Sequence, residues 1–488
     1  MRDKVRFPGA VVALMLSAGC APSGVPSGSE AGGAATPTAP TTPPQTVSSP
    51  AASPVAASRA TAVPKVAVTL FKNVRIFDGK AEKLTDPGSV MVRGNIIERV
   101  SSGSIETPAD ADVTVIDGGG RTLMPGLIDA HWHAMLVRPP VASLLTADAG
   151  YLNLLAGAEA TDTLLRGFTT VRDVGGPTFG LKQAIDQGVL VGPRIFPSGA
   201  IITITGGHGD FRPFTDLPRT LGGPLTRQET TGASMVADSP DEVRVRVREQ
   251  LMQGASQIKL TAGGGVASPH SPLDASTFTE PELRAAVEAA ENWGTYVTVH
   301  AYTPAAIKRS IAAGVKCIEH GQLMDESTAK LMAERGIWLS IQPFPDELAD
   351  AFPRGSEQWQ KAQEVFAGTN TAYTLAKKYK LKTAWGTDIL FSPGLARQQG
   401  ALLAKLTKWY TPAEALVMAT GTNAQLLAMS GKRSPYPGKL GVVEEGALAD
   451  LLLVDGNPIA DIKLVADPAR NFVLIMKDGK IYKNTLSH

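Results

Sequence analysis

Apolar runs and longer amphipathic stretches alternate along most of the chain, which predicts strands and helices in turn. Eight runs read as strands: LIDAHWHA (127–134), FTTVRDVG (168–175), RIFPSGAII (194–202), QIKLTAGG (257–264), YVTVHAY (296–302), VKCIEHG (315–321), IWLSIQP (337–343) and KTAWGTD (382–388). The stretches between them carry helix start and stop signals. Thr279-Glu280-Pro281-Glu282 is a capping box with an early proline, and Thr303-Pro304 and Thr411-Pro412 put proline in the first turn behind a capping threonine. Gly314 is a C-terminal stop for the helix that begins near Thr303. The segment DEVRVRVREQLMQG (241–254) alternates valine and arginine as a strand would, but its length and position favour a helix. Eight strand–helix units in about 300 residues predict an α/β fold of the (β/α)8 TIM-barrel type. A doubly wound dinucleotide fold would open a helix with its glycines, whereas Gly118-Gly119-Gly120 precedes the first strand.

Both ends of this region have a different texture. VAVTLFKNVRIFDG (66–79), SVMVRGNIIERV (89–100) and DVTVIDGGGRTLMPG (112–126) are short β-rich runs broken by Gly and Asn turns, and GALADLLLVDG (446–456) and NFVLIMKDGKIYKN (471–484) match them. One flanking β-sandwich built from both termini is expected, from residues 65–122 and 431–488, with the barrel over 123–430.

Residues 1–20 read as an export signal: a basic start, an apolar core too short to span a bilayer, then Leu16-Ser17-Ala18-Gly19-Cys20. Small residues before Cys20 resemble a lipobox, which makes Cys20 a lipid anchor and the expected location the bacterial outer membrane or periplasm. Residues 21–64, rich in Pro, Ser, Thr and Ala, read as a disordered tether. With Cys20 acylated, only Cys317 is left, so no internal disulfide can form. Among the 488 residues 43% are hydrophobic, enough for a large core, and a net charge of +1 leaves no basic field to draw nucleic acid.

The chain holds seven histidines, one of them the terminal His488. Four others, His131, His133, His300 and His320, fall at the C-terminal ends of predicted strands, where barrel active sites assemble. His131 and His133 flank Trp132. Residues two apart in a strand face one side, so both imidazoles can reach one ion. Lys259 ends one strand and Asp388 ends another, the last. Each has an ordinary explanation alone: a core histidine, a snorkelling lysine, a helix-capping aspartate. A buried lysine can instead react with CO2, giving a carbamate that bridges two cations. One metal site explains together what would otherwise be separate coincidences.

Further candidates surround this set. His208, in Thr205-Gly206-Gly207-His208-Gly209-Asp210, either donates to a substrate carboxylate or oxyanion or is a loop histidine bonded to backbone. Tyr302, two residues after His300, either orients a substrate carbonyl or caps the core. Arg172 and Asp173 are expected to form a structural pair, and His270 is placed to touch substrate from the loop beyond Lys259.

The ordered set HWH, QIKL, VTVH, IEHG and WGTD, with the GALADLLLVDG tail, resembles the amidohydrolase superfamily over residues 66–484. The resemblance implies two divalent ions: His131, His133 and Asp388 on one, His300 and His320 on the other, N-carboxylated Lys259 between them. Zinc suits these ligands, as do manganese and cobalt. Two ions about 3.5–4 Å apart can share a hydroxide, with Asp388 as the expected general base. The Gly-Gly-His-Gly-Asp segment with QIKLTAGGGVASP resembles the imidazolonepropionase-like branch, which includes Xaa-Pro dipeptidases and ochratoxinase-type amidases. It implies a small-molecule amide substrate: a dipeptide such as Xaa-Pro or Xaa-Lys/Arg, or an N-acyl amino acid. Two alternatives stand beside it. A cyclic-amide hydrolase of imidazolonepropionase type is disfavoured by export and by Lys259. A membrane-tethered binding protein without turnover is disfavoured by the intact ligand set. A homo-oligomer is expected.

Overall fold

The computed structural model describes residues 66–109, 111–344 and 352–486. The signal-type segment with Cys20 and the tether of residues 21–64 lie outside the described residues.

Parallel strands form two arcs. The first is Leu127–Trp132, Phe168–Asp173 and Arg194–Pro197. The second, in spatial order, is Ser234–Val236, Ile201–Thr203, Ile258–Thr261, Val297–Ala301, Cys317–His320, Trp338–Ile341 and Lys382–Trp385. The run 194–202 divides between them. Gly199, at φ +74, turns the chain there, and a Cβ on it would sit 2.3 Å from Gln250 Oε1.

The helices between strands begin where the capping residues stand. Thr279 forms its capping box ahead of Glu280–Asn292, Thr303 caps Pro304–Ala313, and Gly314 closes that helix at φ +102. The valine–arginine segment is the helix Pro240–Met252, capped by Ser239. Val243 and Val247, one turn apart, are buried, while Val245 between them is 49% exposed. Helical period therefore overrides the two-residue alternation, because one apolar face suffices to pack against the arc.

Hydrogen bonds outside the strand ladders link the arcs in two places, from the edge strand Arg194–Pro197 to the segment before Ile258–Thr261 and between the edge strands Leu127–Trp132 and Lys382–Trp385. Ser256 N donates to Pro197 O at 2.7 Å and Gln257 Nε2 to Phe196 O at 2.9 Å. At the other edge, buried Asn423 donates from Nδ2 to both Ile128 O and Trp385 O at 2.7 Å, and its Oδ1 accepts from Trp385 N at 3.0 Å. Asp129 adds to this edge by accepting from Thr387 Oγ1 at 2.6 Å and Gln399 Nε2 at 2.9 Å.

The β-rich ends share one mixed sheet. Ala67–Ile76 pairs antiparallel with Gly88–Arg93 and parallel with Asp112–Asp117. Its register shifts between Phe71 and Val74, after which it meets Thr122–Pro125. The C-terminal strands Leu451–Val454, Phe472–Lys477 and Lys480–Asn484 extend the sheet from there. Phe71, Val92, Leu453 and Leu474 lie in one apolar cluster, so the two β-rich segments share a core. Arg194 anchors this unit to the first arc, at 2.9 Å from Asp450 and 2.6 Å from Asp478. No helix among the described residues is long and apolar enough to cross a membrane.

Asn423→Ala removes three hydrogen bonds that join the first and last parallel strands. Leaving their buried backbone partners unfilled is expected to cost about 2–4 kcal/mol. A urea unfolding midpoint unchanged by the substitution contradicts this role.

Candidate metal centre

The C-terminal ends of the parallel strands bring the candidate residues together. Asp388 Oδ1 lies 3.1 Å from His131 Nε2 and 3.2 Å from His133 Nε2, and Asp388 Oδ2 is 3.9 Å from His320 Nδ1. One nitrogen or oxygen from each of His131, His320 and Asp388 falls within 4.8 Å of the others. The His300 ring centroid is 4.4 Å from that of His320, and the Tyr302 ring is 4.6 Å from His300 and 5.1 Å from His320. His208 enters from the loop after Ile201–Thr203, 4.2 Å from His300 between centroids. Lys259 is buried in Ile258–Thr261, in register with Thr298 of the next strand.

Two ligand candidates need an unusual backbone. His320 has φ +79 and Asp388 has φ +54, the left-handed region that most side chains avoid. In a regular strand His320 would face away from Glu319. The left-handed turn re-aims it to the cluster that Glu319 supports. Such strain concentrates at functional sites, where surrounding packing holds it. Gly386 lets the last strand approach the first, since a Cβ there would lie 2.5 Å from His131 N.

Each of the four strand-end imidazoles has one nitrogen committed to an oxygen. His131 Nδ1 faces Glu319 Oε2 at 2.8 Å, His133 Nδ1 faces Gly175 O at 3.0 Å, His300 Nε2 faces Gly264 O at 2.9 Å and His320 Nδ1 faces Gln342 Oε1 at 2.7 Å. This pattern fixes ring orientation and leaves a second nitrogen on each ring, although at His320 it is the committed Nδ1 that lies nearest Asp388. His131 Nε2 is buried and makes no hydrogen bond despite the nearby carboxylate.

Electrostatics agree with a metal-ligand set. Burial lowers the pKa of His133, His300 and His320, the last to about 3, which keeps them neutral as ligands must be. For His131 burial acts downward, but Asp388 and Glu319 raise it overall. Burial raises the Asp388 carboxyl, yet His131, His133 and His320 hold it well below the usual carboxylate range. Burial pushes the Lys259 ammonium down, against the attraction of Glu319 and Asp388. A neutral amine there is the form that can take up CO2. The donor set and the orphaned His131 Nε2 therefore fit divalent ions.

Beneath the imidazoles lies a network that the sequence did not single out. Glu319 accepts from Arg172 Nη2 at 2.6 Å, and Arg172 also donates to Ala130 O at 2.6 Å and Ser340 Oγ at 3.2 Å. Both side chains of this pair are fully buried. The expected Arg172–Asp173 pair does not form. Neighbouring residues of one strand point to opposite faces. Asp173 instead accepts from Ala134 N at 2.7 Å and Gly175 N at 3.2 Å, pinning the turns that carry His133 and its carbonyl partner. Glu319 could have been suspected only as an acid beside a strand-end histidine.

The other candidates divide. His208 Nδ1 bonds Ser268 Oγ at 3.0 Å, not backbone, and a Cβ on Gly265 would lie 2.1 Å from that nitrogen. Tyr302 is buried against the imidazoles, and burial together with Asp388 keeps its hydroxyl protonated. His270 is exposed and its ring lies 4.5 Å from Phe214, on the rim.

Glu319→Gln removes the charge that orients His131 and neutralises Arg172. Metal affinity is expected to fall about 10- to 100-fold. Metal titration of the apo-protein measures it, and wild-type affinity in the variant refutes the supporting role.

Residues 122–482 match the amidohydrolase family model. Over 382 residues the chain is 32% identical to an ochratoxinase of Aspergillus niger, covering 74% of this chain and 75% of that one. A solved prolidase complexed with N-methylphosphonate-L-proline is 34% identical, with a TM-score of 0.78 over 86% of this chain and all of that one. A Xaa-Pro dipeptidase solved with methionine in its active site is 32% identical, with a TM-score of 0.73 over the same shares. The chain belongs to the amidohydrolase family and is a hydrolase acting on carbon–nitrogen bonds.

Proposed function

We propose that this protein hydrolyses the amide bond of a dipeptide or an N-acyl amino acid, on a closed (β/α)8 barrel flanked by a β-sandwich. The observation that carries the reading is the convergence of His131, His133 and His320 on the two oxygens of Asp388, with His300 against His320. In this reading His131, His133, Asp388, His300, His320 and, once N-carboxylated, Lys259 would hold two divalent ions of the zinc type. Such ions supply Lewis acidity and bring the pKa of water toward about 7. The prolidase and Xaa-Pro dipeptidase relatives support dipeptides as the substrate class.

The chain's own groups then have distinct tasks. Asp388 keeps its carboxylate ionised, so it can take a proton from the attacking water and return it to the leaving amine. Tyr302 stays a neutral phenol beside the imidazoles and offers its hydroxyl to the scissile carbonyl oxygen. His208, neutral through burial, is held by Ser268 as a second donor. The seams at Asn423 and Ser256 support the closed barrel. Export with Cys20 as a lipid anchor belongs to the proposal on the pattern of residues 1–20.

The test is a dipeptide and N-acyl amino acid library on the zinc-loaded protein. Asp388→Asn is expected to retain metal while turnover drops about 100- to 10,000-fold. Near-normal turnover in that variant removes the proposed base.

A further inference from the structure

A cleft of about 580 Å³ opens between the helices Phe179–Asp186 and Pro240–Met252 and the segment 432–435. Its walls lead into strand starts. Gln187 precedes the strand Arg194–Pro197, and Gly254 and Ala255 precede Ile258–Thr261. The imidazoles stand at the opposite ends of the parallel strands, so none of them lines this cleft.

Three cations and one acid line it: Lys182, Lys432, Arg433 and Asp186. The acid is already engaged. Lys182 Nζ pairs with Asp186, and Tyr436 Oη donates to Asp186 Oδ1 at 2.8 Å. Lys182 Nζ also lies 4.8 Å from the centre of the Tyr436 ring. Lys432 and Arg433 are left over. They are adjacent on the turn Gly431–Arg433, and their side chains make no hydrogen bond or ion pair among the described residues. Arg433 Nε is nevertheless buried, and so is the unfilled Ser430 Oγ just ahead of the turn.

Neighbouring like charges repel, and a buried guanidinium donor without an acceptor is unfavourable. An anion with several oxygens relieves both. The guanidinium fork grips two oxygens, and the ammonium meets the same charge as a point cation. Two spare cations match a dianion better than a single carboxylate. The rest of the wall is apolar, with Leu251 buried and Phe179 and Pro435 half-buried. Sites for small organic ligands span about 300–1,000 Å³, so the cleft has room for a body behind the oxyanion.

We propose that this cleft is a second ligand site, which binds a small phosphate ester with an apolar or aromatic body through Lys432 and Arg433. The ester is held and released unchanged. The site goes beyond amide hydrolysis and does not rest on it.

Calorimetry of the zinc-loaded protein tests this with phenyl phosphate as probe, phenol as the body alone and inorganic phosphate as the oxyanion alone. Wild type is expected to bind phenyl phosphate more tightly than either. Metal ions attract phosphate too, so substitution assigns the site. With Lys432→Met and Arg433→Met combined, one equivalent of phenyl phosphate is expected to weaken about 10- to 100-fold. Arg433→Lys keeps the charge but loses the fork, and is expected to weaken that equivalent about three- to tenfold. It also guards against a fold defect in the paired variant, whose urea midpoint without probe is expected to match wild type. Equal stoichiometry and affinity in wild type and the paired variant would place all binding elsewhere, and the proposal fails. Wild-type binding of inorganic phosphate as tight as that of phenyl phosphate leaves the apolar wall without a part and overturns the ester assignment.

Discussion

A charge pair with no access to water underlies the centre. Arg172 and Glu319 meet at 2.6 Å with both side chains fully buried. Such a pair is expensive to desolvate and is tolerated only when its remaining donors and acceptors are filled. Here they are filled by site residues. Glu319 passes one oxygen to His131 Nδ1, and Arg172 holds Ala130 O, the carbonyl just before His131. The pair thus fixes one ring and the backbone preceding it. A neutral substitute of equal size could fill the space, but it would not choose which His131 nitrogen faces Asp388.

That choice constrains the rest of the cluster. His131 and His133 share one oxygen of Asp388, so the carboxylate must turn toward both. The left-handed backbone at Asp388 makes the turn, and Gly386 gives the last strand room beside His131. His320 needs the same conformation for another reason. Its neighbour Glu319 already occupies the inward-facing position, in register with His300 and Ser340. Only a break in the strand's alternation lets consecutive residues serve one site.

These features separate what the sequence could disclose from what it could not. Apolar runs and capping threonines act locally, so most strands and helix starts were legible. The segment 241–254 was ambiguous because its alternation competed with helical period, and packing on one face decided it. The division of 194–202 depended on how Gly199 meets Gln250, a contact from a distant helix. The ligand candidates were legible because imidazoles are scarce and stood at strand ends. Their partners were not. Whether Glu319 meets Arg172 depends on interstrand placement, and no spacing within one segment encodes it. The misread Arg172–Asp173 pair shows the cost of treating sequence neighbours as spatial ones.

Chemistry and selection fall on different parts of the architecture. The imidazoles and Lys259 sit on or beside buried strands whose positions are shared by the core, so a change there disturbs folding and the imidazole cluster together. Val266, Ser271 and Lys361 sit on a loop and a helix that lean on the strand ends without entering the ladders. Substitution at those three positions leaves the hydrogen-bond partner of every strand-end imidazole in place. Loops at strand ends carry specificity in barrel enzymes for this reason.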